Sequence, residues 1–84
     1  MKYCYITFRS VTFSQKGEGV LRRAGLSCSV QRTPRWMEEQ GCGYSLRIRQ
    51  TDAPKAVAFL RQAGVSYRKI YLQRDTGALE EMEL

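Results

Sequence analysis

The alternation of apolar and polar residues predicts four β-strands. In residues 2–8 an apolar side chain stands at every second position, at Cys4, Ile6 and Phe8. A period of two is typical of a strand with one buried face. The same pattern marks three further segments, residues 26–32, 44–49 and 66–73. The phase of the last strand stays open, because its sequence YRKIYLQ has apolar residues at both parities.

Residues 53–63 have the period of a helix. Their apolar side chains fall on one face, at Ala56, Val57, Leu60 and Ala63, which is the pattern of an amphipathic helix. Asp52 precedes the segment as a candidate N-cap, and Pro54 stands in the first turn, where proline is tolerated. We therefore expect a helix that begins at residue 53.

A second helix is predicted over residues 11–24. Either Ser10 or Thr12 can cap its N-terminus through a side-chain oxygen. Gly17 and Gly19 lie inside this segment, and each weakens a helix by roughly 1 kcal/mol relative to alanine. The sequence offers no local reason for these two glycines.

The chain contains an internal repeat. The sequence VLRRAGLSCSV (20–30) aligns with FLRQAGVSYRK (59–69) at an offset of 39 residues. Each copy ends a helix at an Ala-Gly pair and then opens a strand with an apolar residue and a serine. Gly25 and Gly64 are predicted to take the left-handed conformation that commonly follows the last residue of a helix.

The predicted order of elements is β-α-β-β-α-β. The simplest packing is a ferredoxin-like α+β sandwich, with a four-stranded antiparallel sheet and both helices on one face. The other sheet face is then open, and the alternation places Tyr3, Tyr5, Arg47 and Arg49 on it. We expect residues 1–74 to form a single domain and the acidic segment 75–84 to be a flexible tail.

The charge of the 84-residue chain is unevenly distributed. The net charge is +6, but the tail holds four of the eight acidic residues and no base, so residues 1–74 carry 14 positive and four negative side chains, a net +10. A body with this charge attracts nucleic acid, an acidic protein or a small anion. The alternative is an ordinary solvated surface whose arginine stems cover apolar area.

The composition excludes several classes of protein. Without histidine, the chain has neither a Ser-His-Asp nor a Cys-His hydrolytic site. Three cysteines at irregular spacing, with no CxxC pair, fit a reducing compartment better than a disulfide scaffold or a zinc site. The sequence has neither a membrane-spanning run nor a signal-peptide pattern. We expect a cytoplasmic protein with no cofactor, no metal and no enzymatic turnover.

Cys42 is the candidate reactive residue. The strand phase turns Cys4 and Cys28 inward, whereas Cys42 falls in the loop 33–43 between Gly41 and Gly43. Flanking glycines permit close approach to the sulfur, and loop amides together with Arg35 or Arg47 would favour the thiolate. The alternative is an exposed cysteine without a function that happens to follow a turn glycine.

Five motifs in a fixed order carry a resemblance to a known family. They are YCYITFRS (3–10), LRRAGL (21–26), TPR (33–35), CGYSLRI (42–48) and LRQAGVSY (60–67). In this order they resemble the selenium/sulfur (Se/S) carrier protein-like family, a small domain of unknown function. The resemblance covers most of the chain up to about residue 72.

The resemblance implies a role for Cys42 as a carrier thiol. The cysteine of the family's Cys-Gly pair is the proposed carrier, which would hold a persulfide or perselenide. The implied partners are a donor such as a cysteine desulfurase and an acceptor enzyme. Gly41, Gly43, Arg35 and Arg47 would support the terminal anion.

A different function remains open for the sheet face. Tyr3 and Tyr5 beside Arg47 and Arg49 suit stacking and phosphate contacts with single-stranded RNA. The third strand lacks the spaced aromatic residues of the RNA-recognition consensus, so nucleic acid is the less favoured partner. The same face could bind a protein, including a second copy of this chain in a homodimer.

Overall fold

The structure of the protein is a computed structural model, and it describes residues 2–32, 43–73 and 79–82. Along the chain the elements are β1 Tyr3–Phe8, α1 Val11–Arg23, β2 Cys28–Arg32, β3 Tyr44–Arg49, a 3₁₀ turn Gln50–Asp52, α2 Ala53–Gln62, β4 Ile70–Gln73 and β5 Leu79–Met82. Within these residues, neither helix is long and apolar enough to cross a membrane.

The strands form one antiparallel sheet in the order β2-β3-β1-β4-β5. The longest pairing joins β1 to β3, from Tyr3 opposite Arg49 to Phe8 opposite Tyr44. The predicted α+β class with two helices is confirmed. The predicted number of strands is wrong, because the described residues form a sheet of five strands rather than four.

The additional strand lies in the acidic tail. β5 pairs with β4 from Ile70 opposite Met82 to Gln73 opposite Leu79. Without it, the outer edge of β4 would present unpaired backbone groups, which the tail backbone satisfies. Glu81 also forms an ion pair with Lys69 at 3.3 Å. That the tail as a whole is flexible stays a prediction.

The core lies between one face of the sheet and the two helices. The alternating side chains of β1 predicted to point inward, Cys4, Ile6 and Phe8, are fully buried. The helices contribute further core residues, of which Leu21, Ala56, Val57 and Leu60 are almost completely buried. Ile70 is buried in the same cluster and Leu72 packs against it, so the phase of β4 that the sequence left open places Ile70 and Leu72 inward.

Both helices end in the same hydrogen-bonded motif. After α1, Leu26 N–H donates to Leu21 C=O at 2.9 Å and Gly25 N–H donates to Arg22 C=O at 3.0 Å. After α2, the residues 39 positions later repeat both bonds, at 3.0 Å and 3.1 Å. Gly25 and Gly64 have φ of 83° and 71°, as a Schellman motif requires. The sequence repeat therefore encodes a repeated helix end.

The two helices begin differently. Ser10 caps α1, because Phe13 N–H donates to Ser10 Oγ at 3.3 Å, and this prediction is confirmed. Asp52 stands at the N-cap position of α2, but its side chain makes no capping hydrogen bond. Its backbone is already helical at the end of the 3₁₀ turn, whereas a capping side chain needs an extended residue. The predicted Asp52 cap is therefore wrong.

Residues 66–69 approach β1 without continuing the regular ladder. Thr7 N–H donates to Lys69 C=O at 2.8 Å, and Arg68 N–H donates to Thr7 C=O at 2.8 Å. Lys69 N–H donates instead to Thr7 Oγ1 at 3.0 Å. Two consecutive residues thus oppose the single residue Thr7, which is the arrangement of a β-bulge. For this reason the strand predicted from residue 66 becomes regular only at Ile70.

Gly17 allows the two helices and the sheet to approach one another. A Cβ atom at this position would lie 3.0 Å from Phe8 Cζ, 3.1 Å from Leu46 Cδ1 and 3.3 Å from Leu60 Cδ2. All three neighbours are fully buried, so none can move without disturbing the core. Gly19 is different, because a Cβ there would meet only the Arg23 side chain, at 3.7 Å.

We expect Gly17→Ala and Gly19→Ala to change stability in opposite directions. Gly19→Ala should stabilise the fold by about 1 kcal/mol, which is the gain in helix propensity. Gly17→Ala makes the same gain but overpacks the core at a cost of about 1–3 kcal/mol, so its net effect should be destabilising. Urea unfolding of both variants measures the difference. A Gly17→Ala variant as stable as Gly19→Ala would contradict the close packing.

Candidate functional site

The predicted site is divided between described and undescribed residues. Cys42, Gly41 and Arg35 lie outside the residues that the structure describes, and their predicted roles stay predictions. Gly43, the residue after Cys42 in the chain, is buried and immediately precedes β3. Arg47 lies within β3 and is half-buried.

Cys4 is enclosed in the middle of the sheet. It pairs with Ile48 on β3 and with Leu72 on β4, and its side chain is fully buried. Burial raises the pKa of the Cys4 thiol from an ordinary value near 9.0 to about 11, because the thiolate would lose its hydration. The prediction that Cys4 is a core residue is confirmed, and its thiol is both inaccessible and neutral at physiological pH.

The burial of Cys4 makes stability depend on pH in the alkaline range. Well below pH 9 the thiol is neutral in the folded and in the unfolded chain, so burial of the neutral thiol contributes in full to the free energy of unfolding. As the pH rises towards 11, the unfolded chain ionises this thiol before the folded chain does, and the contribution is lost. Urea unfolding between pH 8 and 11, compared with a Cys4→Ala variant, should show a shallower decline in the variant. Identical declines would contradict the raised pKa.

Cys28 is half-buried at the start of β2. Its sulfur lies 3.9 Å from the backbone oxygen of Glu18. Burial, and after it the negative charge of Glu18, raise the pKa of the Cys28 thiol, whereas Arg22 opposes them. Arg22 also forms an ion pair with Glu18 at 3.3 Å. Its positive charge therefore acts on the Glu18 carboxylate as well as on the Cys28 thiol. The environment of Cys28 therefore does not activate it, in agreement with its inward position in the predicted strand.

The sheet face away from the helices brings together several residues predicted for binding. The Arg47 guanidinium lies over the Tyr3 ring, 4.5 Å from its centroid, which is a cation–π contact. Arg47 pairs with Tyr5, and Arg49 pairs with Tyr3. Arg49 is exposed, whereas the other three side chains are half-buried.

The side chains in the middle of this face are buried. Thr7 and Ser45, which pair across β1 and β3, are only 2 % and 1 % exposed. Tyr71, which pairs with Tyr5, is 9 % exposed. The face therefore offers no continuous aromatic platform, and its use for nucleic acid, for a protein or for a homodimer stays a prediction.

One further residue of this face has a buried polar group. The hydroxyl oxygen of Ser29 is buried and has no hydrogen-bond partner among the residues that the structure describes. Ser29 pairs with Arg47, and both line a pocket of about 330 Å³ together with Tyr3 and Arg49. Strand alternation already placed Ser29 on this side, but only the fold shows that its hydroxyl is enclosed. The pocket offers hydrogen-bond donors and positive charge, and its lining also includes the half-buried Cys28.

The described residues contain no evident metal centre. Within 2–32, 43–73 and 79–82, no group of three His, Cys, Asp or Glu side chains lies close enough together to hold an ion. The outer face of the sheet offers arginine donors, and burial raises the pKa of the Cys4 and Cys28 thiols.

The chain matches the model of a known protein family. The model of the family described as "Putative Se/S carrier protein-like" matches residues 3–72, which run from the first residue of β1 into β4 and include the Cys-Gly pair before β3. No curated protein and no solved structure matches the chain.

Proposed function

The chain belongs to the Se/S carrier protein-like family, and on this premise we propose that it holds a sulfur or selenium atom on Cys42 and passes it to an acceptor. One observation carries the choice of residue. The matched range contains three cysteines, and burial raises the pKa of both Cys4 and Cys28. Since the thiolate is the nucleophile in this chemistry, Cys42 is the remaining candidate.

The proposed chemistry is a thiol exchange without a net change of oxidation state. The Cys42 thiolate attacks the terminal sulfur of a donor persulfide. A new Cys42–sulfur bond forms, the donor's S–S bond breaks, and the donor cysteine leaves as a thiolate. The terminal atom keeps its proton during the transfer, and Cys42 becomes a persulfide, which then releases that proton to solvent and leaves a terminal anion. An acceptor thiolate then removes the atom by the same step, and selenium follows the same scheme as a perselenide.

The neighbouring groups have supporting roles in this proposal. Gly41 and Gly43 add no side chains next to Cys42 in the chain, which would permit a donor to approach the sulfur. Arg35 and Arg47 stabilise the terminal anion of the loaded form by charge. Arg47 already contacts Tyr3, so this role requires it to keep that stack or to exchange it for the anion.

The partners follow from the charge and from the chemistry. A donor such as a cysteine desulfurase supplies the atom, and an acceptor enzyme consumes it. The net +10 of residues 1–74 favours docking of acidic surfaces. The protein itself turns over no substrate, and it works in the cytoplasm, where thiols stay reduced.

We also propose that the fold is a ferredoxin-like sandwich extended by one strand. The first four strands have the order β2-β3-β1-β4, and β5 lies beyond β4. This order, with a helix after β1 and a helix after β3, supports a split β-α-β arrangement. Gly43, the second residue of the Cys-Gly pair, immediately precedes β3, which pairs with the central strand β1.

The test is to load the purified protein and weigh it intact. The protein is incubated with a cysteine desulfurase and either cysteine or selenocysteine. We expect the wild type and Cys4→Ser to gain the mass of one sulfur or selenium atom, and Cys42→Ser to gain none. Circular dichroism checks that each variant is folded. A folded Cys42→Ser variant that still loads would overturn the assignment.

A further inference from the structure

A second candidate site lies at the β-bulge of residues 66–69. In the sheet this segment and β2 are on opposite sides of β1. A cleft of about 530 Å³ opens beside residues 66–69 and is lined, within the described part of the chain, by Arg9, Phe13, Ser66, Tyr67, Arg68 and Lys69. This volume lies in the range of small-molecule sites. Three of the six lining residues are cationic and none is acidic, so the cleft has the charge to hold an anion.

The β-bulge explains why two cationic side chains meet in this cleft. In a regular strand, consecutive side chains point to opposite faces. Arg68 and Lys69 both line the cleft because they together oppose Thr7, whose hydroxyl accepts the Lys69 N–H at 3.0 Å. A bulge re-aims a side chain in this way and is common next to binding sites.

The cleft also has aromatic and hydroxyl groups. Phe13 is 37 % exposed, an unusual position for a large apolar side chain in this fold. Arg61 Nη2 donates to the Tyr67 hydroxyl at 3.2 Å. This hydroxyl can still donate its own proton, and an anion is a suitable acceptor.

We propose that this cleft binds a nucleoside monophosphate, in which a phosphate monoester is joined through a sugar to a flat aromatic base. The guanidinium groups of Arg9 and Arg68 match phosphate oxygens in pairs, and Phe13 offers a face on which the ring packs. Lys69 supplies the third charge, although it is paired with Glu81 at 3.3 Å, so the ligand competes with that carboxylate. The site does not depend on the carrier function, since none of its described lining residues is a cysteine.

The experiment titrates the full chain with adenosine monophosphate and follows backbone amide shifts by NMR. We expect the shifts to concentrate at Arg9, Phe13 and residues 66–69. Inorganic phosphate alone and adenosine alone should each bind at least about tenfold more weakly than adenosine monophosphate, because each keeps half of the contacts. Phosphate that binds as tightly as the nucleotide would overturn the aromatic part of the proposal.

Matched variants separate the site from general charge attraction. Arg68→Gln should weaken binding about tenfold, whereas Arg23→Gln, an exposed arginine at the end of α1, should leave it unchanged. Phe13→Ala should weaken binding about fivefold or more, whereas Val11→Ala, equally exposed in the same turn, should not. Equal losses within either pair, or the absence of shifts at millimolar nucleotide, would overturn the site.

Discussion

Alkylation of the native protein near neutral pH is expected to modify Cys42 first and to leave Cys4 unmodified until the chain unfolds. Cys4 is fully buried, and burial raises its pKa to about 11. This value alone lowers its thiolate fraction about a hundredfold relative to an ordinary cysteine, because each pKa unit is a factor of ten. Enclosure in the sheet slows the reaction further, so the rates of the two cysteines should differ by more than a hundredfold.

Cys28 should react at an intermediate rate. It is half-buried, and burial together with Glu18 raises its pKa while Arg22 opposes them. Iodoacetamide labelling followed by peptide mass spectrometry gives all three rates from one sample, and labelling in urea supplies the unfolded reference. If Cys28 or Cys4 reacts faster than Cys42 in the native protein, the structural basis for choosing Cys42 fails.

The largest effect on stability is expected from Leu60→Ala. Leu60 is fully buried, and it packs where α2 meets α1 beside Gly17. Replacement of a buried leucine by alanine typically costs about 2–5 kcal/mol, through lost burial and the cavity left behind. In a domain of this size that loss should lower the melting temperature by at least about 10 °C.

A neighbouring position provides the control for Leu60→Ala. Gln62 is exposed in the last turn of α2, and Gln62→Ala should change the free energy of unfolding by no more than about 0.5 kcal/mol. Calorimetry of the two variants measures the difference. A Leu60→Ala variant that melts within a few degrees of the wild type would show that the two helices do not share one core with the sheet.

Local pattern was enough to predict most of the elements. The alternation at Cys4, Ile6 and Phe8 depends only on which face of a strand is buried, and all three side chains are fully buried. Gly25 and Gly64 have positive φ because the helix ends they complete are defined within a few residues. These features are local, so they can be predicted from a single sequence.

Features that depend on a distant partner were missed. The bulge at Arg68 and Lys69 exists only opposite Thr7, which lies about 60 residues earlier in the chain. β5 forms because β4 offers an edge, although the segment containing Glu80 and Glu81 is poor in strand-favouring residues. Gly17 is explained only by three core side chains from other elements.

The strand pattern predicted which side of the sheet several residues occupy. The alternation turned Cys4 and Cys28 inward, and Cys4 is buried and Cys28 half-buried. It placed Tyr3 and Arg47 on one face, where they are in contact. It could not foresee that Thr7 and Ser45 in the middle of that face are buried, because burial there depends on packing beyond the strands themselves.

The most direct test of the carrier assignment locates the transferred atom in the unmodified chain. Trypsin cleaves after lysine and arginine and so separates the three cysteines onto three peptides, residues 3–9, 24–32 and 36–47. The wild-type protein is loaded by a cysteine desulfurase, capped with iodoacetamide and digested without reductant. We predict that the additional sulfur or selenium is found on peptide 36–47, which contains Cys42. An adduct on either of the other peptides, or on none of the three, would contradict the assignment.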